Sequence, residues 1–400
     1  MPTGRSPDSR SGASLKESGV TARFAAIALL AIAALSACAA PTTGSAQKPA
    51  ADVLVVAADG TGTSCSSAQP CTLAGALGKA AAGQTISVLD GTYGDLVLDA
   101  TAVPTLAKGI VVEPARSAKP VFGKLELDLP SITWRNLDFN GAVYLNTGAD
   151  GTHLDGIHVD GSGVFVHADA VVISGAVIEN GTSIDGIQVG GAHDLLIEKS
   201  IVRAFGQGAG SDVHSDCVQL FDSSNIVIRG NYFGACDNAA LIFSPGKGEG
   251  IKSVLVESNF LQGCVEKTER CSQGTALDLR EPTAADVVVR NNTMLDGSVM
   301  VQPIAGLVFD RNIVGFASNC DMPMTNSIVE NWNKGKCAQP TAVGKDGNRT
   351  GTVDVVDRAG GNLRLVNPDQ ATIQPSGQGE PAKRGFDGSR LTPQMAGAGG

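Results

Sequence analysis

The chain has 400 residues, 50 of them glycine and only 4% aromatic, and a formal net charge of -10. That acidic balance argues against a nucleic-acid partner, whose phosphates demand a basic face, and leaves a local basic site open. Val, Ile and Leu recur in short clusters separated by Gly, Asn, Asp and Ser, which reads as many short strands joined by turns, with almost no long amphipathic helix.

Residues 1–37 read as an export leader. Arg5, Arg10, Lys16 and Arg23 precede the apolar run 24-FAAIALLAIAALSA-37, which is too short to span a membrane and suits the core of a signal peptide. The run ends in 35-LSAC-38, a tetrapeptide that resembles the lipobox of bacterial lipoproteins. The resemblance implies a lipid on Cys38, hence an exported protein anchored to the bacterial cell membrane and facing away from the cytoplasm. An ordinary signal peptide cleaved nearby is the alternative. Residues 38–51, rich in Ala, Pro, Thr and Gln, read as a flexible tether.

Nine cysteines less Cys38 leave eight, an even number, in a chain whose leader directs it to a disulfide-permitting compartment. Chain order suggests the local pairs Cys65–Cys71, Cys217–Cys236, Cys264–Cys271 and Cys320–Cys337.

The segment 72-TLAGALGKAAAG-83 reads as a short helix capping a first coil, 85-TISVLDGTYGDLVL-98. From residue 132 onward one eight-residue pattern returns (ITWRNLDF, THLDGIHV, VVISGAVI, LLIEKSIV, IVIRGNYF, VLVESNFL, VVVRNNTM, LVFDRNIV and SIVENWNK), at spacings of 20, 19, 24, 31, 28, 33, 20 and 20 residues. Its sixth position holds Asn231, Asn259, Asn292 and Asn312 in consecutive units. A polar residue recurring at one point of a stacking coil can hydrogen-bond along the stack. A second strand follows in each unit, as in AVYLN, GVFVH, DGIQV, DCVQL, AALIF, TALDL and SVMVQ. One or two aliphatics per strand face inward, too few for a single coil to stand alone.

These residues resemble the right-handed parallel β-helix superfamily, which includes pectate-lyase-like and chondroitinase-B-like proteins. The resemblance implies an all-β, single-stranded right-handed parallel β-helix of about 20-residue coils over residues 52–337, with 338–400 as a closing segment and tail. It also implies a polysaccharide as partner, and a monomer is expected. None of the catalytic motifs of polygalacturonase-like hydrolases or chondroitinase-B-like lyases is present, so the resemblance carries over no catalytic residue.

Candidate chemistry therefore comes from position. The three longest spacings place insertions at 206–216, 236–250 and 263–283, and long loops on a rigid scaffold commonly carry function. Alternation puts Tyr144, Phe165, Gln188, Gln219, Ile242, Asp278 and Met300 in one outward column, beside His167, Phe221 and Arg280 in a neighbouring one. Tyr144, His167, Gln188, Gln219, Phe221 and Asp278 are thus the candidate substrate contacts. The stretches 185-DGIQV-189 and 216-DCVQL-220 are in register, stacking Asp185 on Asp216, either as catalytic carboxylates or as caps of a turn.

Cleavage of a uronic-acid polymer by β-elimination requires a base and a cation to neutralise the carboxylate. The candidates are His214, Asp216, Lys247 and Arg280, with Lys252 behind them; Asp216, Asp237 and Asp278 are candidate calcium ligands. Hydrolysis would instead use a carboxylate pair, Asp216 with Asp278 or Asp185 with Asp216, and a non-catalytic glycan-binding module is the third reading. His153, His158 and His193 read as surface residues.

Overall fold

The computed structural model describes residues 53–399 other than Glu269 and Gln378; the leader, the tether and Cys38 lie outside the described residues. The fold is the expected parallel β-helix, but each full coil carries three short strands and not two. The first face has eleven parallel strands, from Leu54–Val56 to Val308–Asp310. A second face runs from Gly91–Thr92 to Arg349–Thr350, and a third begins at Leu96–Leu98. The nine-residue strand Thr293–Val301 serves both later faces, pairing at its start with Phe260–Gln262 and at its end with Thr275–Leu279.

The eight-residue repeat spans two of these strands and the corner between them. In one coil, Ser224–Arg229 lies on the first face and Tyr232–Gly234 on the second, and Gly230 turns the chain with φ 63°. In the next coils Ser258, Asn291 and Arg311 take the same left-handed conformation just before a ladder asparagine, with φ 57°, 51° and 52°. Such backbone is cheap for glycine and tolerable for asparagine, but costly for most side chains. A rigid partner must hold it, and the asparagine that follows does so.

Asn231, Asn259, Asn292 and Asn312 are fully buried. Asn231 donates through its backbone N–H and Nδ2 to Asn259 Oδ1, both at 3.0 Å, and Asn259 repeats this to Asn292. Each Nδ2 also donates to a carbonyl of the preceding coil, such as Ile228 O from Asn259 at 2.9 Å. The ladder extends beyond the four asparagines, from Ser200 N–H at one end to Ser327 and Asn348 at the other. Amide side chains suit this role because each is both donor and acceptor.

Inside the coils, Ile226, Ile228, Phe233, Leu241 and their equivalents form one continuous core. The helix Leu73–Lys79 buries Leu73, Ala76 and Leu77, with Thr72 Oγ1 accepting from Gly75 N–H at 3.1 Å as its N-cap. The C-terminal segment lies along the second face. Its Leu363, Leu365, Ile373, Ala396 and Ala398 share a separate cluster with the outward side chains Tyr232, Phe260, Ile313 and Ile328.

Candidate functional site

Asp185 and Asp216 each precede a third-face strand by two residues, the strands being Ile187–Gly190 and Val218–Phe221. They therefore occupy the corner where the second face turns into the third. Insertion 206–216 enters the third face here, and Ser215 Oγ fastens it by donating to Gly206 O at 3.1 Å. The insertion beginning at Gly263 folds over the same edge. Its Arg270 guanidinium donates back to Gly181 O at 3.0 Å and Ala204 O at 3.3 Å. Disulfides Cys217–Cys236 and Cys264–Cys271 pin this wall, and Cys65–Cys71 and Cys320–Cys337 complete the local set suggested by chain order.

Asp185 is buried and both its oxygens are engaged. Oδ1 accepts from the Asp216 N–H at 2.8 Å and Oδ2 from Gln188 Nε2 at 2.9 Å. Burial raises its pKa, and those two donors oppose the shift. Asp216 is fully buried and has less support. Asn238 Nδ2 donates to its Oδ1 at 2.8 Å. Its Oδ2 lies 3.0 Å from His214 Nδ1, a contact outside hydrogen-bond geometry, so this oxygen has a polar neighbour but no directed donor. Burial first, and the charge of Asp185 second, push the Asp216 carboxyl from 3.8 to about 7. The His214 side chain is 52% exposed, so it is the one member of the group a large substrate can touch.

On the third face Gln188 and Gln219 are direct register partners. Gln188 Nε2 donates to Gln219 Oε1 at 2.9 Å, and Gln219 Nε2 donates on to Ser244 Oγ at 3.0 Å. A polar chain thus leads from Asp185 across three coils. Earlier in the same column the rings of Tyr144 and Phe165 stack 4.9 Å apart at 18°, forming an aromatic platform. The Phe221 ring lies across Gly190, where a Cβ would come within 2.3 Å of it. His167 Nδ1 meets Gly190 O at 2.9 Å.

The remaining candidates do not converge on His214. Lys247 lies beyond the exit end of strand Leu241–Phe243, across the width of the third face from the Asp216 corner. The backbone N–H groups of Lys247, Gly248 and Gly250 wrap the Asp222 carboxylate, at 2.8, 2.9 and 3.0 Å. Asp278 pairs in register with Ile242, two coils on from Gln219, and is held by its near neighbour Arg280 at 2.7 and 2.5 Å. Lys252 begins a first-face strand and sits 3.8 Å from Glu249. His158, read as a surface residue, is half-exposed on a second-face strand between Asp138 and Glu179. His153 and His193 lie on the first face against Ser174 and Ser224.

The expected calcium set is also dispersed. Asp237 is buried away from the third face's outward column, and its Oδ1 accepts from Ser272 N–H and Oγ at 2.7 and 2.8 Å. What assembles instead is Asp185, His214 and Asp216, whose ligand atoms lie within 4.8 Å of one another and could hold a metal ion. Calcium prefers about six to eight oxygen ligands, whereas this group offers one imidazole nitrogen and two carboxylates, so it does not fit calcium well. Sequence reasoning missed Asn238 and Arg270. Asn238 stands one place out of step with Asp185 and Asp216 in its approach to a third-face strand, which hid the stacking.

Fold and site together define a parallel β-helix protein with a buried carboxylate pair beneath an exposed histidine at one edge of its third face. No protein-family model and no curated protein matches the chain. Among solved structures it is similar to a pectate lyase, at 10% identity and TM-score 0.45 over 70% of this chain and 76% of that one. It is similar to the Dettilon tailspike protein at 10% identity and TM-score 0.46, over 74% and 66%. It is also similar to an alginate lyase from Paenibacillus, at 12% identity and TM-score 0.32, over 64% and 97%.

Proposed function

We propose that the protein is an exported, lipid-anchored enzyme that takes an extended polysaccharide along its third face and cleaves it by β-elimination, with His214 as the base. One observation carries this reading: the half-exposed His214 ring has Nδ1 3.0 Å from the fully buried Asp216 carboxylate, at the edge of a face lined by Gln188 and Gln219. A buried carboxylate close behind an imidazole stabilises by its charge the imidazolium formed when the ring takes a proton. Asp216 then acts as the electrostatic partner of the base. Arg280, half-exposed on the same face, is already paired with Asp278, so it offers the polymer N–H donors and no net charge.

Two-carboxylate hydrolysis is less well supported. Retaining and inverting enzymes hold their carboxyl groups roughly 5 Å or more apart with a sugar between them. Ligand atoms of Asp185 and Asp216 lie within 4.8 Å, and both residues are buried. That burial favours one second reading, a non-catalytic glycan-binding module in which the two acids only shape the corner. The Cys38 anchor rests on the lipobox-like LSAC, and four disulfides agree with export.

The test is incubation with a panel of acidic and neutral polysaccharides, reading unsaturated-uronate absorbance and reducing ends separately. The expected result is absorbance from an acidic polymer that His214→Ala lowers at least about 100-fold and a chelator does not lower. A divalent cation on Nδ1 would occupy the ring in this reading, so loss of activity on chelation would overturn the role given to His214. Reducing ends without absorbance would point to hydrolysis, and binding without either signal would establish the module.

A further inference from the structure

On the first face, Glu198, Arg229, Glu257 and Arg290 stand in register on four consecutive coils. They neutralise one another, Arg229 reaching Glu198 at 2.7 Å and Arg290 reaching Glu257 at 2.8 Å. The C-terminal segment crosses the corner beside them. Phe386 stacks on Phe260 with centroids 4.0 Å apart at 17°, Ser258 Oγ donates to Arg384 O at 2.6 Å, and Ala382 N–H donates to Asn291 Oδ1 at 2.8 Å. Aromatic stacking and hydrogen bonds to buried ladder-corner residues hold this strap at a fixed place.

Between strap and coils lies a cleft of about 640 Å³, within the range of roughly 300–1,000 Å³ of small-molecule sites. The strap lines it with Lys383 and Arg384, and the coil corner adds Lys199. None of these three has a carboxylate partner among the described residues; Arg384 donates only to Gly388 O, at 3.1 Å. Because the coil charges already cancel, three like charges remain on one cleft of a chain whose net charge is -10. Gathering like charges on one small surface is unfavourable, and an anion placed among them offsets that cost.

We propose that this strap cleft is an anion-binding site, separate from the third face, for a ligand bearing a carboxylate or phosphate group. Lys383 and Arg384 supply charge and directed N–H donors, as basic side chains do for oxyanions. Lys199 closes the coil side. The exposed edge of Phe386 gives a sugar ring an apolar contact.

Calorimetric titration of the intact protein with inorganic phosphate, a hexuronate and glucose tests the site. Saturable binding of phosphate, the hexuronate or both is expected, with none for glucose; which anion binds identifies the group recognised. Lys383→Gln with Arg384→Gln should weaken binding at least about tenfold, an effect of lost charge-assisted hydrogen bonds, while His214→Ala leaves it unchanged. Lys199→Gln, on the coil, is a second variant should the strap variant melt early. The proposal is overturned if neither anion saturates, or if both variants bind as the wild type does. A loss in His214→Ala would place the anion on the third face and overturn it equally.

Discussion

The asparagine ladder and the Asp185–Asp216 corner are both stacks of polar side chains on consecutive coils, and they end in opposite states. In the ladder, Asn259 accepts from Asn231 and donates to both Asn292 and Ile228 O, so every buried group finds a partner in its neighbour. At the other corner the stack is Asp185, Asp216 and Asn238. A carboxylate has no donor to pass on. Asp185 is satisfied by the Asp216 backbone and Gln188, but Asp216 Oδ2 is left with no directed donor. The same solenoid geometry thus yields a self-satisfying spine where the repeated side chain is an amide, and a poised, unfavourable pair where it is an acid. Such pairs persist where something other than stability maintains them.

Cutting the ladder should have the largest effect. Asn259→Ala leaves the Asn231 side chain, the Ile228 carbonyl and the Asn292 Oδ1 each short of a partner, at about 1–3 kcal/mol per buried group. The loss expected from urea unfolding is about 3 kcal/mol or more, and a shift of the midpoint equivalent to less than about 1 kcal/mol would show that the ladder relaxes around a gap.

The acid corner should respond in the reverse direction. Since the fold raises the Asp216 pKa from 3.8 to about 7, it disfavours the ionised form. The penalty is absent below the unfolded pKa near 4, grows as pH rises between about 4 and 7, and is fully present above 7. The melting temperature of the wild type should therefore fall between pH 5 and 8. Asp216→Asn, which turns the acid stack toward an amide ladder, should remove that fall and stabilise the protein at pH 8 by about 2 kcal/mol. It should also lower cleavage, because His214 loses its charged partner. A wild-type melting temperature flat across this range would mean that Asp216 is not strained in the folded protein.

How legible each stack was in the amino-acid order follows from the same chemistry. The ladder showed itself because one residue type recurred at one offset, in Asn231, Asn259, Asn292 and Asn312. Its extension to Ser200, Ser327 and Asn348 did not, since the contact is kept by different side chains. The corner between first and second faces was read as the middle of one strand: a single left-handed residue such as Ser258 leaves no mark on the apolar pattern. At the candidate site, alternation correctly aligned Gln188 with Gln219 and Asp185 with Asp216. It could not tell that Arg280 would spend its guanidinium on Asp278, or that Lys247 would fall at the opposite end of the third-face strand, because loop paths carry no period.

The smallest stability change belongs to His214, and it separates the two stacks most sharply. His214 stands on the insertion and its side chain is 52% exposed, so its removal opens no core cavity. Its off-axis contact with Asp216 Oδ2 is not a hydrogen bond, so little bonding energy is lost with it. Replacing a half-exposed side chain under these conditions changes stability by about 0.5 kcal/mol or less, whereas removal of a general base lowers rate by about 100-fold or more. His214→Ala should therefore melt with the wild type and retain polysaccharide binding, yet cleave poorly. It should also keep the fall in melting temperature between pH 5 and 8, since burial and Asp185 raise the Asp216 pKa whereas His214 opposes them, so removing the histidine relieves nothing. If the alanine variant instead unfolds several degrees early, the histidine is a structural lid on the acid pair, and the corner is a second ladder that happens to be built from carboxylates.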